Sequence, residues 1–247
     1  KYLWNSLKVT FLYSMGEILV TMVGGMLLAL LFNRMTRSFG LMRAFVFVPK
    51  YVAMSSAAVV FLWILNTDSG VLNYLLQCIG LPAVDWLNQQ STALPSVLML
   101  TGWRVIGYGM MIYLSAMMGI SQEYYEAASL DGANGVQKFF RITLPLLSPT
   151  TLFLLVTTFL SSMKVFQSVD ILTSGGPARS TEVFVYLIYR YAMVDFRMDR
   201  AATAAVMFFL ILLVITVLTM KVSDRSVTYD SVSYTHLRAH ETRRHLV

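Results

Sequence analysis

The sequence is poor in charged residues and in cysteine. Only 13% of its 247 residues are Asp, Glu, Lys or Arg, whereas about a quarter are charged in an average soluble domain. The composition therefore argues against a chain that is surrounded mainly by water. The single cysteine, Cys78, excludes an internal disulfide and any metal site built from several cysteines.

Motifs of several enzyme classes are also absent. No G-x-x-x-x-G-K-[ST] loop is available to cradle the phosphates of ATP, and no H-E-x-x-H pair could hold a catalytic zinc. A membrane-embedded aspartyl hydrolase would need paired carboxylates, yet Glu17 is the one acid well inside an apolar stretch. We therefore expect no catalytic residue, no metal and no cofactor bound by this chain.

The formal net charge of +6 does not indicate a nucleic-acid partner. The Lys and Arg residues lie at the ends of apolar runs, and flanking charge of this kind usually sets membrane topology. This placement of Lys and Arg favours a chain that is embedded in a lipid bilayer.

Long hydrophobic runs dominate the chain. A helix needs about 20 mostly apolar residues to cross a hydrocarbon core of about 30 Å. Five stretches are long enough: 9–32, 44–65, 94–118, 146–169 and 201–221. The sequence therefore predicts an all-α, polytopic membrane protein with five transmembrane helices.

The charges of the loops orient these spans. Residues 33–43 carry Arg34, Arg37 and Arg43 without any acid, which predicts a cytoplasmic loop. Residues 66–93 carry acids without Lys or Arg and are predicted to be external. The loop 119–145 then falls on the cytoplasmic side.

The loop 170–200 fits this topology less well. It should be external, yet it contains four arginines, namely Arg179, Arg190, Arg197 and Arg200. Its apolar middle, 183–193, is too short to span a bilayer, so we expect an interfacial or re-entrant helix with aromatic anchors.

The most specific pattern is EAASLDGANGVQKFFRITLP at 126–145. It has the form E-A-A, three residues, G, nine residues, I-x-L-P, and its fixed positions would coincide by chance about once in 10⁷ to 10⁹ starts. The matching residues are Glu126, Ala127, Ala128, Gly132, Ile142, Leu144 and Pro145.

Local signals in this segment predict two short helices joined by a turn. Ser121 is a suitable N-cap for a helix through about Leu130, and Gly132 can take the positive φ of a chain reversal. Asn134 and Gln137 resemble a capping pair for a second helix that ends near residue 142. Pro145 is expected in the first turn of the next membrane helix. The alternative is an ordinary amphipathic loop helix whose glutamates are merely solvated.

The E-A-A pattern resembles the cytoplasmic coupling loop of ABC-importer permeases of the MetI-like superfamily. The resemblance implies a type I importer permease fold over residues 1–222, with 121–145 as the coupling loop and Glu126, Asp131 and Gly132 at the ATPase contact. Such permeases commonly have six spans, which implies that one upstream helix precedes Lys1. The resemblance also implies a bacterial-type inner membrane as the location. The implied partners are a second homologous permease, a dimer of ATP-binding subunits that carries ATP and magnesium, and an extracytoplasmic solute-binding protein.

Further segments are similar to the carbohydrate branch of this family. They are WNSLKVTFLYS at 4–14, LFNRMTRSFGLMRAFVFVP at 31–49, GVLNYLLQCIGLP at 70–82 and LTSGGP at 172–177. The resemblance implies import of a sugar or a related solute, such as an oligosaccharide or glycerol phosphate. A channel or secondary transporter that works without an ATPase is the alternative.

Three ionisable residues lie inside predicted spans, where charge usually faces a cavity or a partner. They are Glu17, Arg104 and Lys164, and the predicted span limits place all three in the outer half of the bilayer. We expect them to line a solute path. Trp103, Tyr108 and Tyr113 lie nearby on the third span. The alternative is a structural pair of Glu17 with Arg104, together with a snorkelling Lys164.

From residue 223 the composition becomes polar. His236 and His240 have helical i, i+4 spacing, but no acidic or cysteine cluster accompanies them. The segment 223–247 resembles translated read-through more than a domain, and we assign no function to it.

Overall fold

The computed structural model describes residues 2–33 and 37–226. This part of the chain is helical and contains no β-strand, which confirms the predicted all-α class. Arg34 and the histidines of the tail, including His236 and His240, lie outside the described residues.

Three helices are individually long and apolar enough to cross a membrane: Tyr2–Leu31, Gln90–Met118 and Met198–Thr219. Two bent pairs meet the same criterion, namely Phe39–Tyr51 with Met54–Ile64, and Gly135–Leu146 with Ser148–Ser162. The described residues therefore contain up to five spans, in the chain order that the sequence predicts. We call them the first to the fifth span, and we use fourth span for Ser148–Ser162 alone, since Gly135–Leu146 belongs to the loop 119–145.

The second span is not the continuous helix expected over 44–65. Its two halves meet at an angle of 103°, because Val52 and Ala53 adopt extended backbone with ψ of 132° and 133°. Pro49 has no N–H to donate and lies one turn before this break. Two other limits also differ from expectation, since the first span already begins at Tyr2 and the fourth stops at Ser162.

Two apolar clusters occupy opposite ends of the bundle. One contains Val9, Ala57, Phe61, Leu65, Val97 and Leu172, which lie next to the loops predicted to be external. The other contains Met26, Phe32, Met110, Met117 and Leu147, which lie next to the loops predicted to be cytoplasmic. The packing therefore agrees with the alternation of loops that the charges predict.

The first and third spans approach each other closely through glycine. A Cβ at Gly25 would lie 2.8 Å from the carbonyl carbon of Gly109, and one at Gly109 would collide with the carbonyl oxygen of Thr21. Small residues allow such crossings in membranes, where packing replaces the hydrophobic effect as the force that joins helices.

The middle of the loop 170–200 packs inside the bundle. Its short helix, Phe184–Val194, contacts the first and fifth spans, and Phe184 stacks on Phe208 with ring centroids 4.8 Å apart. Phe184 and Tyr191 are buried. The expectation of an interfacial or re-entrant helix is therefore wrong in giving these two side chains the role of aromatic anchors, because the first and fifth spans pack against this helix.

Three of the four arginines that disagree with an external position of this loop form ion pairs. The carboxylate of Glu182 is fully buried and lies 2.9 Å from Arg190 and 3.6 Å from Arg179. Arg197 lies 3.5 Å from Asp199. Three of the four arginines thus have an acidic partner within the loop, and Glu182 is shared by two of them.

Replacing Gly109 with alanine tests the glycine crossing. The added methyl group meets the backbone of Thr21, so we expect the free energy of unfolding to fall by about 1–3 kcal/mol. Gly40→Ala is the matched control, because Gly40 is also helical and has open space around it. Thermal unfolding in detergent should show a lower midpoint for Gly109→Ala and an equal or higher midpoint for the control. Equal midpoints for both variants would contradict the crossing.

Candidate functional site

The predicted foot at 121–145 forms two helices joined by a tight turn. The first, Gln122–Leu130, begins at Ser121, whose hydroxyl oxygen accepts a bond from the Glu123 N–H at 3.4 Å. Gly132 has a φ of +77°, a backbone conformation that favours glycine. The second helix, Gly135–Leu146, opens with a capping box between Asn134 and Gln137, with both bonds at 2.9 Å.

Two side-chain contacts fix the helices of the foot to each other. The hydroxyls of Tyr125 and Thr143 lie 3.0 Å apart. The ammonium group of Lys138 donates to the hydroxyl of Ser129 at 2.6 Å. These two contacts join the helices of the foot across the turn, which favours movement of the foot as one body.

The surface of the foot is unusually apolar for an exposed loop. Leu130 is 90% exposed, and Val136 and Phe140 are 66% and 59% exposed. Glu126, Ala127, Asp131, Gly132, Leu144 and Pro145 are also exposed, whereas Ala128 and Ile142 are half-buried. Large apolar side chains that project together from a surface usually mark a contact with another protein.

The structure corrects the expected place of Pro145. This residue lies in the last turn of Gly135–Leu146, which continues beyond residue 142 through a π-helical turn at Phe139–Thr143. The fourth span begins at Ser148, after a bend of 62°. Pro149, rather than Pro145, occupies the first turn of the span, where its missing N–H costs no hydrogen bond.

A cavity of about 490 Å³ lies where four spans converge. Glu17 reaches it from the first span, Arg104 from the third and Lys164 from just beyond the end of the fourth. The three ionisable residues singled out in the sequence are thus brought to one cavity. Hydroxyl groups complete much of its lining, from Tyr13, Thr101, Ser161 and Ser168.

Glu17 and Arg104 lie near the middle of helices that are longer than the sequence predicts. Glu17 is about 22 Å along its helix from Tyr2, and Arg104 is about 21 Å along its helix from Gln90. Both helices begin before their apolar stretches, with polar residues such as Asn5 and Ser91. The position of the ionisable residues in the outer half of the bilayer stays a prediction.

Arg104 closes the break in the second span. Its guanidinium group donates to the carbonyl oxygens of Val52 at 2.9 Å and Lys50 at 3.2 Å. These carbonyls lie at the break, where the regular helical hydrogen bonding is interrupted. The expected alternative, an ion pair with Glu17, does not occur among the ion pairs of the described residues.

Sequence reasoning missed Lys50. It lies at the break, lines the main cavity and also lines a second one of about 230 Å³ that shares Glu17 and Ser161 with it. Its ammonium group lies 4.9 Å from the ring centroid of Tyr108. The available signal was a lysine directly after Pro49 inside an apolar run.

The aromatic residues expected along the path lie in three different parts of the structure. Tyr108 lines the smaller cavity. Trp103 instead packs against Phe61, at 5.6 Å between ring centroids, in an apolar groove on the outside of the bundle. Tyr113 is buried in the cluster near the cytoplasmic loops.

Arg104→Leu tests the closure of the break. Two carbonyl groups lose their hydrogen bonds to the guanidinium group, which contribute about 0.5–1.5 kcal/mol each where water can replace them, so detergent-solubilised protein should unfold at a lower temperature. Lys164→Leu is the control, since the Lys164 side chain lines the same cavity and holds no backbone carbonyl among the described residues. If both variants unfold at the wild-type temperature, Arg104 does not hold the second span together.

Comparison with known proteins places the fold and the foot in a family. Residues 21–229 match the family model of the binding-protein-dependent transport system inner membrane component. A probable ABC transporter permease of Bacillus subtilis, YurN, is 34% identical over 222 residues, which cover 88% of this chain and 76% of the relative. The sn-glycerol-3-phosphate permease UgpA of Agrobacterium fabrum is 33% identical over 226 residues, covering 91% and 77%.

Solved structures agree with this assignment. A bacterial ABC transporter that imports the acidic polysaccharide alginate superimposes with a TM-score of 0.82 at 28% identity, covering 93% of this chain and 81% of that one. An amino acid ABC transporter, at 14% identity and a TM-score of 0.60, shares the fold. The resemblance drawn from the sequence, the importer permease fold and the inner-membrane location are confirmed. The chain belongs to the family of inner-membrane components of binding-protein-dependent transport systems, the permeases of ABC importers.

Proposed function

We propose that this chain is one of two permease subunits in an ATP-driven importer of a carbohydrate or a related solute such as a glycerol phosphate. The foot carries this proposal, because it presents exposed Glu126, Gly132 and Leu130 on a rigid helix pair that no other described element covers. A partner ATPase is the occupant that fits a foot on the cytoplasmic side. Relatives named for glycerol 3-phosphate and for alginate support the solute class.

Movement of the foot would reach the cavity through the fourth span. The second helix of the foot ends at Leu146, and the span Ser148–Ser162 follows after a single bend. The far end of that span supplies Ser161, and Lys164 follows directly, at the cavity. Closure of a nucleotide-bound ATPase dimer against the foot would therefore tilt one wall of the cavity.

The remaining parts of the importer would lie on other chains. ATP and magnesium would bind the ATPase dimer, and this chain would contribute no catalytic residue. A second permease would complete the path, and a solute-binding protein would deliver the solute from outside. A solved relative, 29% identical with a TM-score of 0.80, is an alginate ABC transporter in complex with its pentasaccharide-bound periplasmic protein.

Co-purification with the ATPase encoded beside this gene tests the role of the foot. The double variant Glu126→Lys, Gly132→Asp reverses an exposed charge and adds a side chain at a φ of +77°. We expect wild type to retain the ATPase in detergent and the variant to lose at least about 90% of it, because charge reversal within a buried contact costs several kcal/mol.

The matched control makes the same changes at the other end of the molecule. Asp68→Lys, Gly80→Asp also reverses an exposed charge and fills a glycine, here with a φ of +80°, in the loop predicted to be external. This control should retain the ATPase like wild type. Equal recovery with all three proteins, or none with any, would refute the assignment of the foot and favour a channel or secondary transporter.

A further inference from the structure

The charges around the main cavity are unbalanced. Three cationic side chains, from Lys50, Arg104 and Lys164, line it against the single carboxylate of Glu17. At neutral pH this is a formal excess of two positive charges at the middle of the bundle. Such an excess is costly inside a membrane, where the surroundings screen charge poorly.

No acid of the described residues forms an ion pair with these cations, although Glu17 lies close enough to interact with Lys50 and Arg104. The ion pairs of this part of the chain involve Glu182 and Asp199, both outside the cavity lining. The ammonium group of Lys50 lies over the ring of Tyr108. The terminal nitrogens of Arg104 donate to two backbone carbonyls and to a thioether sulfur. The positive potential therefore remains available to a bound group.

The cavity also holds a buried donor without a partner. The Nε of Arg104 makes no hydrogen bond within the described residues, whereas the hydroxyls of Tyr13 and Ser168 are buried next to each other, close enough to interact. Buried polar groups are nearly always hydrogen-bonded, so the free donor of Arg104 indicates a ligand or ordered water. The volume of about 490 Å³ lies within the usual range of small-molecule sites, about 300–1,000 Å³.

We propose that the solute passing this cavity is acidic, with a phosphate or carboxylate group held by Lys50 and Lys164. This inference rests on the proposed permease function and narrows its substrate class. Lysine suits the role, because a flexible ammonium group can bind an anion and release it as the path changes shape. Arg104 supplies potential but stays bound to the broken span.

The test is uptake by the complete complex in phosphatidylcholine vesicles, with this chain, its neighbouring permease, the ATPase and the binding protein. The acidic probes are glycerol 3-phosphate and trigalacturonate, which distinguish phosphate from carboxylate. The neutral counterparts are glycerol and the methyl ester of trigalacturonate. We expect ATP-dependent uptake of at least one acid and background uptake of both neutral compounds.

Variants locate the selectivity in the cavity. Lys50→Met and Lys164→Met should each lower uptake of the acid by about tenfold or more, through loss of a charge-assisted hydrogen bond. Lys164→Arg should restore most of the uptake. Lys8→Met is the matched control, because Lys8 borders an apolar groove away from the cavity.

The outcomes separate this inference from the proposed function. Failure of the wild-type complex to hold its ATPase would overturn the proposed coupling of this chain to an ATPase. An assembled complex that hydrolyses ATP but carries neutral compounds as well as acids, or carries neither acid, would overturn only the acidic solute. Uptake that is unchanged in both Lys→Met variants would overturn it as well.

Discussion

The hydrogen bonds from Arg104 to the carbonyl oxygens of Val52 and Lys50 are the interaction on which the centre of this molecule depends. A span that breaks inside a membrane exposes backbone groups that lipid cannot bond. The guanidinium group satisfies two of them from the neighbouring helix. The sharp bend can then persist, and it brings Lys50 to the cavity and lets two cavities form along the third span.

The fourth span joins this centre to the foot. Its 15 residues extend about 22 Å, from the bend after Leu146 to the cavity wall at Ser161. The foot is fixed internally by the contacts Tyr125–Thr143 and Lys138–Ser129. A displacement of the foot therefore has one continuous helical route to the cavity, with a single bend that can absorb or redirect it.

The features that could be predicted from the sequence are those that depend on residues close together in the chain. The caps at Ser121 and Asn134 and the turn at Gly132 depend on neighbours within four residues, and the spans depend on length and apolarity alone. The break at Val52, the bonding of Arg104 and the burial of Glu182 depend on residues far apart in the chain. Glu17, Arg104 and Lys164 could be selected because charge in an apolar run is conspicuous, but their common cavity required the fold.

Reaction of a cysteine in the cavity with charged thiol reagents tests most directly whether a positive, water-filled path runs through the middle of the bundle. Ser161→Cys would be made in a Cys78→Ser background of the assembled complex, and the exposed native Cys78 would serve as the reference for the two reagents. A negatively charged methanethiosulfonate should label position 161 faster, relative to its positively charged counterpart, than it labels Cys78. No labelling at 161, or a preference for the positive reagent, would contradict the account.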